Sequence, residues 1–421
     1  MGVNPAEMLP TPEGLWTRRD FTKSMAQCAV LLNAKAVGAF ESQLPVAAVV
    51  TEYSENSHAD VLVGKILEGY DQEGGEGPPL ELVSLYVDQV PEDDLSRDLS
   101  SMYGFRLTRT IEEAITLGTD QVQVAGVLSI GEHGDYPLTK RIGQRMYPRR
   151  RFFDEIAATF RKAGKVVPLF NDKHLAYSFA DARHMYDVAR NMRIPFMAGS
   201  SIPVTWRRPA LSLPMDCEIE SALVIGYGGA EDYGFHAIEG LQCMIERRKG
   251  GETGVSRVQA IRGKDIWKAD QNGRWSRELF EAALKTMPQK DCGSRDRDIR
   301  ANAPFYLFDH REGTKSSGAM ANGVSRHFGF AAKLKGREEP VATWYELDLD
   351  KPFEHFAYLL KAINQMIQSG NPSYPVERTL LTTGMLDEIM HSLANDGERR
   401  DTPRLKIAYQ PADWPYANTP R

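Results

Sequence analysis

Along the first half of the chain, short runs that are apolar on both faces alternate with longer amphipathic segments. Val46–Val50, Leu82–Val87, Val124–Ile130, Val166–Phe170 and Pro195–Gly199 have the pattern of strands buried on two sides, as in a parallel sheet. Between them, Asp60–Tyr70, residues 93–103, Thr110–Leu117, Phe152–Ala163 and Ser178–Met192 read as helices. Gly104 and Gly164 stand where helix C-caps belong. Residues 71–79, rich in Gly, Pro and acidic side chains, read as a loop. Strand and helix in alternation predict a doubly wound, Rossmann-like parallel sheet over residues 45–205.

The pattern then changes. Glu220–Tyr227, Val255–Ile261, Phe305–Phe308 and His327–Lys333 are strand-like, while Tyr233–Arg248, His355–Ser369 and Glu377–Leu393 are helical. This mixture predicts an α+β domain over residues 206–400 with an open, mostly antiparallel sheet, followed by a tail over residues 401–421. A chain of 421 residues is too long for one ordinary core, which also argues for two domains.

Two stretches carry candidate chemistry. The run Val166–Phe170 leads into Asn171-Asp172-Lys173-His174, so a buried strand would deliver Lys173 at its C-terminal end. Ligands of open α/β sheets bind at that edge. In the second stretch, Asp232, His236 and Glu239 stand at i, i+4 and i+7, which a helix places on one face. A lysine, a histidine and carboxylates together can polarise and deprotonate a carbinol or a carbonyl. Each residue also has a plainer reading. Lys173 could pair with Asp172 on the surface, His236 could be a packed histidine, Asp232 a helix N-cap, and Asp88 a turn cap.

Bulk composition narrows the function classes. Hydrophobic residues make up 42% and charged residues 26%, as in a water-soluble globular protein. A net charge of −6 gives no general attraction to nucleic acid or anionic membrane, so no nucleic-acid partner is expected. The run Arg149-Arg150-Arg151 reads as a helix start. Four widely spaced cysteines imply neither a zinc ribbon nor a disulfide scaffold. No apolar run reaches the roughly 18 residues of a spanning helix. Within residues 1–44, Thr17-Arg18-Arg19-Asp20-Phe21-Thr22-Lys23, an apolar stretch and Ala34-Lys35-Ala36 resemble a twin-arginine export signal. This predicts a periplasmic or exported protein; the other reading is a polar extension of a cytoplasmic one.

The order of motifs resembles the Gfo/Idh/MocA family of glucose–fructose oxidoreductases and inositol dehydrogenases. Asp88-Gln89-Val90-Pro91-Glu92 resembles the family's D-x-x-P-E. Asn171-Asp172-Lys173-His174 falls where the family has E-K-P, and Asp232-x-Gly234-x-His236-x-x-Glu239 resembles D-x-G-x-H-x-x-D. The resemblance spans about residues 45–395 and implies an NAD(P)-dependent oxidoreductase acting on a sugar, polyol or glycoside, commonly a homodimer or homotetramer paired through the second sheet. Carried over, Lys173, His236 and Asp232 would be catalytic. Asp88, Glu132, Asp172 and Lys173 would contact the cofactor, with Asp88 on the adenosine ribose and favouring NAD.

Two departures stand out. The first strand leads into Thr51-Glu52-Tyr53-Ser54-Glu55-Asn56-Ser57-His58, without the glycines that let a backbone approach a diphosphate. The family's T-P is replaced by Gly131-Glu132-His133-Gly134-Asp135. The acid- and His-rich set Glu132, His133, Asp172, His174 and His236 therefore suggests an alternative: a nicotinamide-independent lyase, isomerase or hydrolase of sugar derivatives using zinc, manganese or iron. A third reading is a non-catalytic sugar-binding protein. Tyr136, Tyr147, Trp206, Tyr227 and Tyr233 are placed near the cleft as stacking residues or simple packing.

Overall fold

β1 (Leu44–Val50) is apolar on both faces and its last five residues are buried, as suits the centre of a parallel sheet. It pairs in parallel with β2 (Leu80–Val87), and β3 (Arg106–Thr108) extends the sheet beyond β2. On the other side stand β4 (Gly126–Ile130), β5 (Leu169–Asp172) and β6 (Phe196–Gly199), giving the order β3-β2-β1-β4-β5-β6. The structure, a computed structural model, describes residues 43–288 and 303–419. Arg18, Arg19, Ala34–Ala36, Cys28 and Cys292 lie outside the described residues.

The strand expected over Val166–Phe170 starts later, at Leu169, and runs through Asp172. Pro168 has no N–H to give the ladder and contributes only its carbonyl, to the Val127 N–H at 2.9 Å. Helices α1 (His58–Glu68), α2 (Ser96–Tyr103), α3 (Ile111–Thr116), α4 (Arg149–Ala163) and α5 (Phe179–Met192) join the strands. Ser57, Thr110 and Ser178 cap α1, α3 and α5 by accepting the N–H three residues on. Gly104 and Gly164 end α2 and α4 in the left-handed conformation.

The second sheet is built from β7 (Trp206–Arg208), β8 (Ile219–Gly226), β9 (Val255–Ile261), β10 (Phe305–His310), β11 (Lys315–Met320), β12 (Phe328–Leu334), β13 (Val341–Glu346) and β14 (Arg400–Asp401). Its order is β14-β9-β10-β11-β8-β12-β13-β7, antiparallel except for the β11–β8 pair. α6 (Asp232–Ile245) packs on one face. α7 (Lys264–Gln271) and α8 (Arg277–Thr286) cover the other, where Trp275, Leu279, Phe280 and Ala283 meet Leu223, Ile225, Phe305 and Ala331. α8 lies over the central strands β8 and β12.

α9 (His355–Ser369) returns to the parallel sheet, packing Phe356, Leu359, Leu360 and Ile363 against the cluster of Val46, Val50 and Leu62. α10 (Glu377–Ala394) runs between α5 and α6. The segment after β14 is anchored: Leu405 and Ile407 enter the core, and the Tyr409 hydroxyl donates to Glu246 at 2.7 Å. Among the described residues, no helix is long and apolar enough to cross a membrane.

Candidate active site

A cavity of about 350 Å³ opens where the C-terminal ends of β1, β4 and β5 face the second sheet. Its polar wall carries Lys173, Glu132, His133, His58, Asp232 and His236, and Tyr147, Tyr227, Tyr233, Phe328 and Phe356 form an aromatic wall. Such a volume lies near the small end of the range for ligand sites.

Lys173 follows β5 directly and takes a left-handed backbone conformation (φ 59°), its N–H donating to the Gly199 carbonyl at 3.0 Å. Asn56 and His133, also on the cavity wall, share this conformation at φ 61° and 70°. Side-chain-bearing residues adopt it at a cost of about 1–3 kcal/mol, and such residues cluster at functional sites. The turn aims the Lys173 ammonium at Glu132, with Nζ 2.7 Å from Oε1. An ammonium carries three N–H donors, so this pair leaves donors for a ligand.

Arg149, the first residue of α4, is fully buried and donates to the other Glu132 oxygen. Its side chain crosses Gly131, where an added Cβ would lie 2.7 Å from the Arg149 Cγ. Burial works against charge on Glu132, yet Lys173 and Arg149 together hold its carboxyl well below the usual range. Arg149 also donates to His174 Nε2 at 2.7 Å. Burial and the nearby guanidinium push His174 well below its ordinary pKa.

His236 projects from the second turn of α6, edge-on to Phe328 and Tyr233. Burial first, then Lys173 and His58, keep its imidazole neutral. Asp232 lines the same cavity as the first residue of α6. It is not the N-cap; that position is Glu231, which makes no side-chain cap. Both Glu231 oxygens instead accept the Arg145 N–H, and burial raises its carboxyl to about 7. The i+7 residue, Glu239, turns inward to Ser200 and Thr379 and is not part of the cavity wall.

Sequence reasoning placed other residues here that the fold sends elsewhere. Asp88 is absent from the cavity wall. Its oxygens accept from Tyr86 at 2.8 Å, Tyr136 at 2.7 Å and Arg151 at 2.6 Å, and despite partial burial these bonds lower its pKa. Tyr136 therefore serves Asp88, and Trp206 packs edge-on against Tyr358. Asp172 lies beneath the wall, bonded to His58, and His174 lies behind it. The metal alternative of Glu132, His133, Asp172, His174 and His236 is not supported. Glu132 is neutralised by two cations, His174 by contact faces a guanidinium, and no group of three or more potential ligands among the described residues is arranged to hold a metal ion.

His58, His355 and Asn56 line the cavity without having been singled out. Burial, His58 and Lys65 lower His355 to about 3, and burial with His58 lowers His133 to about 4. The signal for His58 was its place at the first helix start after the first strand; His355 had none, because α9 reaches the site only through tertiary packing.

A dinucleotide held in the usual way needs free N–H groups at the start of α1 and room for a diphosphate against them. Here Ser57 Oγ accepts the Asp60 N–H at 3.2 Å, and Asp60 Oδ2 accepts the Asn56 N–H at 2.9 Å. Tyr53, from the same turn, is fully buried in the core cluster with Val46, Val50 and Leu62. The turn is closed by its own side chains, one of them a carboxylate, and these residues do not fit a diphosphate in that pose.

A second cavity of about 170 Å³ lies under the C-terminal segment, between Arg207, Arg378 and Trp414. There Arg378 is already paired with Glu246.

No family model matches the sequence, and no curated protein matches it. Solved structures match in three dimensions. GenD2 from gentamicin A biosynthesis, in complex with NAD, superposes with a TM-score of 0.52 at 15% identity, over 88% of this chain and 99% of that one. The fold, a Rossmann-like parallel sheet followed by a mostly antiparallel mixed sheet, is shared with these solved structures. A probable dehydrogenase from Thermotoga maritima gives 0.51 at 11% identity, over 86% and 100%. A myo-inositol dehydrogenase from Corynebacterium glutamicum gives 0.50 at 11% identity, over 85% and 98%. At these identities the likeness is one of fold, and it agrees with the two-sheet architecture expected from the sequence.

Proposed function

We propose that this chain is an enzyme that moves a proton at a hydroxyl or carbonyl group of a small carbohydrate-like molecule. The observation that carries the reading is the convergence of Lys173 and His236 in one cavity at the C-terminal edge of the parallel sheet. The Lys173 ammonium, held by Glu132, binds the substrate oxygen. His236, neutral through burial, exchanges the proton. Asp232 accepts a hydroxyl, and Tyr147, Tyr227 and Tyr233 offer faces suited to a sugar ring.

A second reading is an NAD(P)-dependent oxidoreductase of the Gfo/Idh/MocA type acting on a sugar, polyol or glycoside. The likeness of fold to dehydrogenases favours it, and the closed turn before α1 stands against it. The test is the bound content of purified full-length protein: nucleotide by absorbance and mass spectrometry after denaturation, metals by elemental analysis, then titration with NAD and NADP. The first reading expects no stoichiometric nucleotide and no saturable binding of either dinucleotide. Stoichiometric NAD(P), or oxidation of myo-inositol or D-glucose on its addition, overturns it in favour of the second. Export is proposed on the Arg18-Arg19 motif. Replacing both arginines by lysine is expected to keep the protein out of the periplasmic fraction.

A further inference from the structure

His58 opens α1, at the turn where glycines are missing. Its Nδ1 lies 2.7 Å from Asp172 Oδ2, and the Asp172 side chain has no exposed surface. Asp172 Oδ1 has no hydrogen-bond partner. Among the described residues, His58 is thus the group that answers this buried carboxylate, and an unpaired one would cost several kcal/mol. An ionised carboxylate only accepts, so His58 donates from Nδ1. In the neutral ring this leaves Nε2 as a bare lone pair.

The ring is held on its other sides. Phe356 meets it edge-on at 5.1 Å, and His133 lies at 5.5 Å. The His58 side chain keeps 16% of its surface, and it lines the cavity. Facing it are His133 and Glu132 from the loop after β4, Lys173 after β5, His236 from α6 and His355 from α9. A carboxylate buried behind an imidazole whose far nitrogen is free is the arrangement that orients and stabilises a general base.

We propose that His58, oriented by Asp172, accepts a proton at Nε2 from a carbon next to a carbonyl group of the molecule held in the cavity. The inference rests on the reading of this cavity as an active site. In the step, the proton goes to Nε2, the C–H electron pair forms a carbon–carbon double bond, and the carbonyl π pair moves onto oxygen beside the Lys173 ammonium. The imidazolium forms against Asp172. Return of a proton to carbon restores both carbonyl and base, with no oxidant or reductant consumed. His58 is the catalytic group here, and Asp172 is a positioning residue.

The first test needs no ligand. In full-length protein carrying ¹⁵N-histidine, the neutral His58 ring is expected to bear its proton on Nδ1, the signal being assigned by its loss in His58→Gln. Asp172→Asn, whose amide both donates and accepts, is expected to mix the tautomers. A wild-type His58 protonated on Nε2 alone overturns the proposal. The second test follows deuterium entering dihydroxyacetone in D₂O. The wild type is expected to exceed the rate without enzyme, with His58→Gln about 100-fold slower and Asp172→Asn at least about 10-fold slower. No exchange by the wild type overturns the proton-abstraction step. Exchange lost in Lys173→Met but intact in His58→Gln overturns the role of His58 and leaves the cavity reading standing. Equal exchange in the wild type and all three variants overturns both.

Discussion

Glu239 Oε2 accepts the backbone N–H of Ser200 at 2.7 Å, tying α6 to the end of the parallel sheet. Its other oxygen accepts from Thr379 at 3.2 Å, and burial raises the carboxyl to about 7. The folded state therefore holds a proton that the unfolded chain gives up above its ordinary value near 4.5. The stabilising contribution is full below about pH 4.5 and is lost as pH rises to about 7, an effect of about 3 kcal/mol. Glu239→Gln should remove it. The difference in unfolding free energy between wild type and variant, measured from pH 4.5 to 8, is expected to shrink for the wild type as pH rises. A difference independent of pH would refute the assignment.

Lys173 supplies one of the two cations that keep Glu132 charged in the interior. Lys173→Met leaves Arg149 as the remaining partner, and a buried pair broken on one side typically costs about 3 kcal/mol. Urea unfolding should show a loss of that order. Turnover should fall by about 10² or more. Unchanged stability would mean that Arg149 alone satisfies Glu132.

Gly131 gives Arg149 its path to Glu132. In Gly131→Ala the new methyl meets the Arg149 Cγ at 2.7 Å, so the guanidinium must shift away from both Glu132 and His174. Overpacking of this kind costs about 1–3 kcal/mol. A lower melting temperature together with weakened ligand binding in the cavity is expected, and a fall in neither would show that the side chain reroutes freely.

Asp88 separates the two functional readings. Bonded to Tyr86, Tyr136 and Arg151 and lying off the cavity wall, it should act on stability alone. Asp88→Ala is expected to lower the melting temperature while leaving turnover within about twofold, since removing hydrogen bonds to a charged group costs about 1.5–3 kcal/mol. If the protein binds NAD through this residue, calorimetric titration will instead show a large loss of NAD affinity in the variant.

Much of the fold was legible because periodicity reports burial. Val46–Val50 and Leu82–Val87 are largely apolar on both faces, a pattern that a parallel sheet covered on both sides satisfies when such runs alternate with helices. The helix starts at Thr110 and Ser178 were legible for a local reason: a hydroxyl with a carboxylate residue three positions on, at the head of an amphipathic run, suits an N-cap; Ser57 does the same, three residues before the expected start at Asp60. β11 escaped notice because Lys315-Ser316-Ser317-Gly318-Ala319-Met320 has no strand pattern; its residues are buried by the β8 and β10 neighbours on either side. α7 and α8 were missed as well, since what fixes them is the apolar face of the second sheet.

By itself the sequence determined the strand–helix alternation, the position of Lys173 at a strand end and the helical register that puts Asp232 and His236 on one wall, because each depends on spacing along the chain. The tertiary structure decided which charges meet. Glu132 is 41 residues from Lys173, and His58 is 114 residues from Asp172. Burial beside a distant partner sets the charge state of each such group, and no local pattern encodes that partner. The same physics turned Glu239 inward, enclosed Asp88, and brought His355 from α9 to a cavity formed at the edge of the first sheet.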